Sequence, residues 1–116
     1  MEDVDQQRLR KSGGDWLDSV EKNAFWQAVD AIRAHAAWRP KPSYVDMFGN
    51  VVRDINPRLA TELAWIFGAE GGEALPFEAA ADAVSVNPAR FRRICQRAFP
   101  EECAWIEANV GPLQGV

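Results

Sequence analysis

Seven prolines divide the chain of 116 residues, and their positions constrain its fold more than any other feature. Proline lacks a backbone N–H and has a fixed φ, so it is tolerated in the first turn of a helix and disrupts the interior of a helix or sheet. Four of the prolines directly precede stretches that read as helices, namely Pro57, Pro76, Pro88 and Pro100. The chain is therefore predicted to form a series of short helices.

The first predicted helix is longer than the others and runs from about residue 15 to 37. Phe25, Val29, Ile32 and Ala36 recur in it at helical spacing. The proline-rich segment 39–42 ends this helix, because each proline also restricts the residue before it. A loop over residues 43–55 follows, in which Val51-Val52 predicts a short extended piece but no sheet.

The second half of the chain is predicted to contain four further helices. Asn56 is a typical N-cap residue in front of Pro57, and the helix that they begin is expected to end at Gly68. Three short helices are then predicted, at 76–84, 88–99 and 100–110. The expected fold class is all-α, a small helical domain with a C-terminal helix-turn-helix at about 76–99.

Composition favours one packed domain, predicted over residues 15–116. Apolar residues make up 47% of the chain, which also holds five tryptophans and six phenylalanines, so a core can form without disulfides or metal. Residues 1–14 are polar and end in Ser-Gly-Gly, which predicts a flexible N-terminal tail. No apolar run approaches the roughly 18 residues of a membrane span, and the acidic N-terminus lacks a signal sequence. We therefore expect a cytoplasmic protein without membrane contact.

Residues suited to catalysis or metal binding are sparse. The two cysteines, Cys95 and Cys103, lack a CxxC spacing, and the single histidine, His35, is distant in sequence. This set is inadequate for zinc, and no phosphate loop or Ser/His/Asp pattern accompanies it. The sequence predicts two buried free thiols, no catalytic residue, no metal and no cofactor, and hence a protein that is not an enzyme.

The segment from Phe77 onward has the pattern of a helix-turn-helix. Such a motif needs small residues where its helices cross, which Ala80 and Ala81 supply, and apolar residues that fix both helices to the body. Apolar residues stand at the required positions: Val84, Val86, Phe91 and Ile94. Ser85 occupies the turn position where glycine is common, because that turn often takes a positive φ.

Charge is concentrated on the second helix of this motif. Between Ser85 and Phe99 there are four arginines and no acid, which gives a local charge of +4 against −4 − 4 = −8 for the rest. Helical spacing predicts an inward face of Phe91, Ile94, Cys95 and Ala98. The same spacing predicts an outward face that carries Ala89, Arg90, Arg92, Arg93, Gln96 and Arg97.

These features favour sequence-specific binding of double-stranded DNA by a transcription regulator, with the helix 88–99 in the major groove. Arginine suits this role because its planar fork binds guanine or phosphate through two hydrogen bonds. The residues nearest the outward centre are expected to meet base edges: Asn87, Ala89, Arg93 and Gln96. The flanking residues are expected to meet phosphates: Arg90, Arg92 and Arg97.

The chain also resembles a group of small, uncharacterised bacterial and phage or prophage proteins with a helix-turn-helix. The resemblance rests on Phe25-Trp26, on Ala64–Phe67 (AWIF) and on a third set of residues. This third set comprises Phe77, Val84, Val86, Pro88, Arg92 and Arg93. The chain departs from the pattern at Val84 and Ser85, where leucine and glycine are usual. The resemblance implies a DNA-binding fold of phage or mobile-element type and no settled activity.

Two other functions fit the same residues. The arginine-rich helix could bind an acidic groove of a transcription or replication complex such as RNA polymerase. Alternatively, the helix pair is an ordinary packing unit whose arginines are solvated or pair with Glu101, Glu102 or Glu107. The chain could also be a phage packaging or structural adaptor. Most of the tryptophans are expected in the core, and one or two in a homodimer contact through the long N-terminal helix, since paired helix-turn-helix units read two half-sites.

Overall fold

A computed structural model describes residues 19–115, which are mostly helical. Helix α1 covers residues 19–34 and continues into a 3₁₀ turn at His35–Ala37. The later helices are α2 at Pro57–Ile66, α3 at Phe77–Ala83, α4 at Pro88–Ala98 and α5 at Pro100–Asn109. The helical prediction is thus confirmed to within about two residues at each later boundary. The predicted tail and the predicted start of the first helix lie outside the described residues.

One predicted loop contains a small sheet. Strand β1 (Tyr44–Val45) pairs antiparallel with β2 (Val51–Val52), Tyr44 opposite Val52. The Asp46 carboxylate closes the turn by accepting from the backbone N–H groups of Phe48 and Asn50, each at 2.9 Å. The expectation that Val51-Val52 forms no sheet is therefore wrong, because the turn supplies the hydrogen bonds that align a partner strand.

Local sequence signals determine where helix α2 begins and ends. The Asn56 side chain accepts from the backbone N–H of Arg58 at 3.2 Å and of Leu59 at 3.5 Å. These bonds satisfy donors that have no partner inside the helix. At the other end Gly68 takes a φ of +59°, and the N–H of Ala69 donates to the carbonyl of Ala64 at 2.9 Å. This is a Schellman ending, and it turns the chain sharply after α2.

The core forms where α2 packs against α5 and where α4 packs against α3 and α5. Its largest fully buried side chains come from the second half of the chain: Leu59, Leu63, Ile66, Phe67, Phe77 and Ile106. Helix α1 joins this core through Phe25, whose ring lies 6.1 Å from that of Phe77 and 5.3 Å from that of Phe91. The aromatic contacts therefore attach α1 to the α3–α4 pair.

The C-terminal segment 111–115 returns along the end of α2. The Gln114 N–H donates to the carbonyl of Phe67 at 2.7 Å. A Cβ at Gly111 would lie 2.2 Å from the backbone oxygen of Ala69, so only glycine allows this close approach. None of the helices described is both long and apolar enough to cross a membrane.

Candidate nucleic-acid interface

The turn between α3 and α4 fixes how α4 leaves the body of the protein. Ser85 has a φ of +58°, and within residues 19–115 it is the one residue other than glycine with a positive φ. The N–H of Val86 donates to the carbonyl of Ala81 at 2.8 Å and that of Ser85 to Asp82 at 3.0 Å. This is the Schellman geometry again. Ser85 therefore takes the positive φ that is common at this turn position, where glycine is the usual residue.

Helix α4 then begins with a second Asn-Pro pair. The side-chain oxygen of Asn87 accepts from the backbone N–H of Arg90 at 3.0 Å, and Pro88 takes the first helical position. The predicted N-cap is therefore confirmed. Since this oxygen is engaged by the helix, the exposed Asn87 has its amide N–H groups left to donate to a ligand.

The inner side of α4 is anchored by Phe91 and Cys95. The Phe91 ring is partly buried and lies 5.5 Å from the ring of Phe77 on α3. Cys95 is buried, and burial followed by the neighbouring Cys103 raises the pKa of its thiol to about 12. Burial, followed by Glu102 and Glu107, raises the pKa of the Cys103 thiol to about 11. Both cysteines are free and buried, as predicted.

Arg92 corrects the predicted outward face, because its side chain is buried inside the fold. Only 5% of the residue is exposed. Its Nε donates to the carbonyl of Ile66 at 2.7 Å, at the end of α2, and a second guanidinium nitrogen bonds the carboxylate of Glu78 on α3. The guanidinium carbon also lies 5.3 Å from the centre of the Phe77 ring. Arg92 thus joins α2, α3 and α4, and in this arrangement it is not available to a phosphate.

The partner carboxylate reflects this contact. A hydrogen bond from its own backbone N–H, and then the bond from Arg92, lower the pKa of Glu78 below its usual value. Because about half of the Glu78 side chain is exposed, solvent screens this pair and weakens it. The buried contact of Arg92 with the Ile66 carbonyl is therefore the stronger part of the arrangement, since water cannot compete there.

The outer face of α4 is formed by Arg90, Arg93, Ile94 and Arg97. They occupy positions i, i+3, i+4 and i+7, which coincide on one side of a helix, and together they line one shallow depression. Ile94 is 57% exposed, so its predicted role as an inward anchor is wrong. Ala98 is likewise exposed rather than inward. Because Arg92 is bound inside, the helix is rotated away from the orientation that apolar spacing alone predicts.

Two other predicted residues lie at the margins of this face. Ala89 is exposed near the start of α4. Gln96 is exposed too, but it borders a different depression, shared with Cys103 and Glu107 of α5. The structure therefore brings together Arg90, Arg93 and Arg97 of the predicted set, with Ala89 beside them and Gln96 turned toward α5.

No acidic side chain within residues 19–115 pairs with these three arginines. The ion pairs of that region join Arg53 to Glu101 and Arg92 to Glu78. Glu101, one of the acids considered as a neutralising neighbour, is thus engaged on another surface. The outer face of α4 therefore presents a charge of +3 rather than the +4 expected from the segment, around an exposed isoleucine.

The single histidine and Trp65 lie outside the arginine face of α4 and bond to neighbouring residues of the fold. The Nδ1 atom of His35 lies 3.1 Å from the side-chain nitrogen of Asn56, which donates to it, and the ring stacks on Trp38. Trp65 is partly buried and donates to the carbonyl of Leu75 at 2.7 Å. Among residues 19–115 no three His, Cys, Asp or Glu side chains are grouped to hold a metal ion.

The remaining tryptophans differ in burial. Trp26 is 49% exposed and Trp105 is 40% exposed, so these two lie outside the core that most of the tryptophans were expected to join. Trp16 lies outside the described residues.

Sequence reasoning missed a second exposed apolar surface, on the β1–β2 ribbon. Its members are Tyr44, Val45, Met47, Phe48 and Val51, each more than 60% exposed. The only local signal is the Asp46-to-Gly49 turn, in which Gly49 takes a φ of +82°.

Comparisons with the models of known protein families, with curated proteins and with solved structures found no match.

Proposed function

We propose that this protein is a sequence-specific DNA-binding regulator of the helix-turn-helix type, which inserts α4 into the major groove of double-stranded DNA. The observation that carries the proposal is the outer face of α4, where Arg90, Arg93 and Arg97 are exposed and unpaired by any acid of the described residues. A major groove about 12 Å wide accepts one such helix, and its guanine edges accept arginine forks.

The construction of α3 and α4 supports this use. Ala80 and Ala81 are fully buried, so α3 approaches its neighbours closely, and the Ser85 turn sets α4 at a fixed angle. A helix held on its inner side by Arg92 and Phe91 keeps its outer side rigid, which lowers the entropy lost on binding. In this scheme Arg93, Asn87 and Ala89 meet base edges, Arg90 and Arg97 meet phosphates, and Gln96 contributes from the α5 side.

The test is selection of bound fragments from a random duplex library at roughly 150 mM salt, where non-specific retention is weak. Wild type is compared with Arg93→Ala and with Arg58→Ala, a matched removal of one exposed arginine from α2. We expect a short enriched site in wild type and in Arg58→Ala. Arg93→Ala should lose about 1–3 kcal/mol on that site and relax one position of it.

Two outcomes count against the proposal. If Arg93→Ala weakens binding equally on every sequence, the residue does not read bases and acts only through charge. If wild type retains no duplex DNA, the arginines of α4 serve another partner. Arg92 is excluded from these variants, because its replacement would damage the fold and mimic a loss of binding.

We also propose a homodimer through α1, the arrangement that would present two copies of α4 to half-sites about 34 Å apart. Its support is Trp26, a large aromatic side chain left 49% exposed on α1. Sedimentation of wild type and of Trp26→Ala, with and without DNA, measures the mass. A strictly monomeric wild type under both conditions contradicts the dimer and leaves DNA binding to be judged separately.

The second candidate function is docking to a transcription or replication complex. The observation that favours it is the exposed apolar β1–β2 ribbon, since apolar side chains gathered on a surface mark protein contacts. Co-purification with a polymerase subunit that persists in Arg93→Ala and is lost in Phe48→Ser would support this function. The reverse pattern would assign such a contact to α4.

A further inference from the structure

We propose that Ile94 reads the 5-methyl group of thymine in the DNA site, as the apolar centre of the arginine face of α4. This inference rests on the proposed function and adds a specificity-determining residue to it. A methyl group on the major-groove edge distinguishes thymine from cytosine, and apolar side chains are the groups that contact it.

The argument begins with the position of Ile94. It is 57% exposed on a helix whose other apolar side chains, Phe91 and Cys95, are turned inward. Leaving much of a large aliphatic side chain in water forgoes the favourable free energy of burying it. Nothing within the described residues covers it, so a contact that removes it from water would recover part of that free energy.

The surroundings of Ile94 define what can cover it. Arg90 precedes it by one turn, Arg97 lies three residues on, and Arg93 is adjacent, so cations border it along the helix. A surface with an apolar centre and a cationic border complements an apolar group flanked by anions. In the major groove a thymine methyl lies between two phosphate backbones. The cationic border of the depression complements those phosphates and its apolar centre complements the methyl group, so duplex DNA is the partner that we assign to it.

The geometry of the helix strengthens the assignment. Ile94 lies in the middle of α4, between the first turn and Arg97 near its end. A recognition helix contacts base edges along the side that faces the groove, beginning with its N-terminal residues. Ile94 lies on the exposed side of α4 one turn after Arg90 and next to Arg93, so an aliphatic group would reach the base edges beside a guanidinium fork.

Uracil in place of thymine removes only the methyl group, and this substitution is the test. The duplex selected by wild type is synthesised with thymine and again with uracil, and the Kd of each is measured for wild type, Ile94→Ala and Ile94→Val. A buried methyl contributes about 0.8 kcal/mol, or roughly fourfold in Kd, per contacted base. We expect about a fourfold loss or more for wild type and Ile94→Val, and no loss for Ile94→Ala.

The other outcomes each overturn the inference in a recognisable way. Equal binding of the two duplexes by wild type means that no methyl is read, while DNA binding itself stands. An equal loss in wild type and in Ile94→Ala assigns the methyl effect to another residue or to DNA shape. If wild type selects no duplex at all, the proposed function fails too, and Ile94 belongs to a protein contact. Val110→Ala, an exposed aliphatic truncation outside both α4 and the β1–β2 ribbon, should behave like wild type.

Discussion

Helices α2 and α4 both begin with an Asn-Pro pair whose asparagine oxygen accepts from backbone N–H groups of the first turn. A Schellman turn adjoins each of them: the turn at Gly68 ends α2, and the turn at Ser85 ends α3 just before α4 begins. Yet α2 buries Leu59, Ala60, Leu63, Ala64 and Ile66, whereas α4 buries only Arg92 and Cys95. The same local construction thus gives one helix that fills the core and one that is left open on a whole side.

The difference teaches that capping decides where a helix begins, while tertiary neighbours decide which face it keeps. Helix α2 packs against α5 and meets the core on most sides. Helix α4 is held along one side only, and its single buried charge fixes that side. The open side, with its arginines and isoleucine, is what makes α4 suited to a partner outside the protein.

The largest predicted difference between the two helices is in the free energy of unfolding after one aliphatic side chain is truncated in each. Leu63→Ala removes a fully buried side chain from α2 and should cost about 2–5 kcal/mol of unfolding free energy. Ile94→Ala removes an exposed one from α4 and should change it by less than about 0.5 kcal/mol. Urea denaturation measures both. A comparable loss in the two variants would show that Ile94 is covered in solution and would break the comparison.

The next effect concerns the charge that α4 buries. Arg92→Ala leaves the Ile66 carbonyl without its donor and removes the contact with Phe77, so we expect a loss of about 2–4 kcal/mol. Arg93→Ala, at the adjacent exposed position, should leave the free energy of unfolding within about 0.5 kcal/mol of wild type. Thermal and urea denaturation compare them. An unchanged stability in Arg92→Ala would contradict the role of this residue in joining three helices.

Adjacent arginines with such different surroundings show what the sequence can and cannot predict. The helices after Asn56 follow from residues within a few positions, so local signals suffice to predict them. The partners of Arg92 are 26 and 14 residues away, and no local pattern indicates them. Apolar spacing therefore predicts Ile94 on the inner face and Arg92 on the outer face, and the structure has the reverse. Of the predicted outer face, Arg90, Arg93 and Arg97 lie together in the structure, with Ala89 and Gln96 at its margins.

The ribbon was missed for a related reason. Strands of two residues carry almost no periodicity, and their pairing depends on the Asp46 carboxylate closing the turn. The proposed partner of α4 lies outside the chain, so the charge and the exposure of its outer face, rather than a contact within the fold, are the observations that indicate it.

A smaller effect compares the two N-caps. Asn56→Ala removes a cap that is 7% exposed and that also donates to His35, and it should cost about 2 kcal/mol. Asn87→Ala removes an exposed cap with one backbone bond and should cost about 1 kcal/mol. Asn87→Asp retains the accepting oxygen of the cap and serves as the control for α4. Equal losses for the two alanine variants would mean that burial adds nothing to the cap of α2.

The smallest effect tests the two Schellman turns by exchanging their residues. Gly68 and Ser85 have nearly the same φ, +59° and +58°, a conformation that costs a residue with a Cβ about 1 kcal/mol. Gly68→Ser should therefore destabilise the protein by about 1 kcal/mol, since its Cβ meets only the flexible side chain of Gln114. Ser85→Gly should stabilise it by about 0.5 kcal/mol, because the relief of strain exceeds the added entropy of the unfolded chain. If Ser85→Gly instead destabilises the protein, the serine side chain contributes to the turn before α4, and any accompanying loss of DNA affinity would place that contribution in the orientation of the helix.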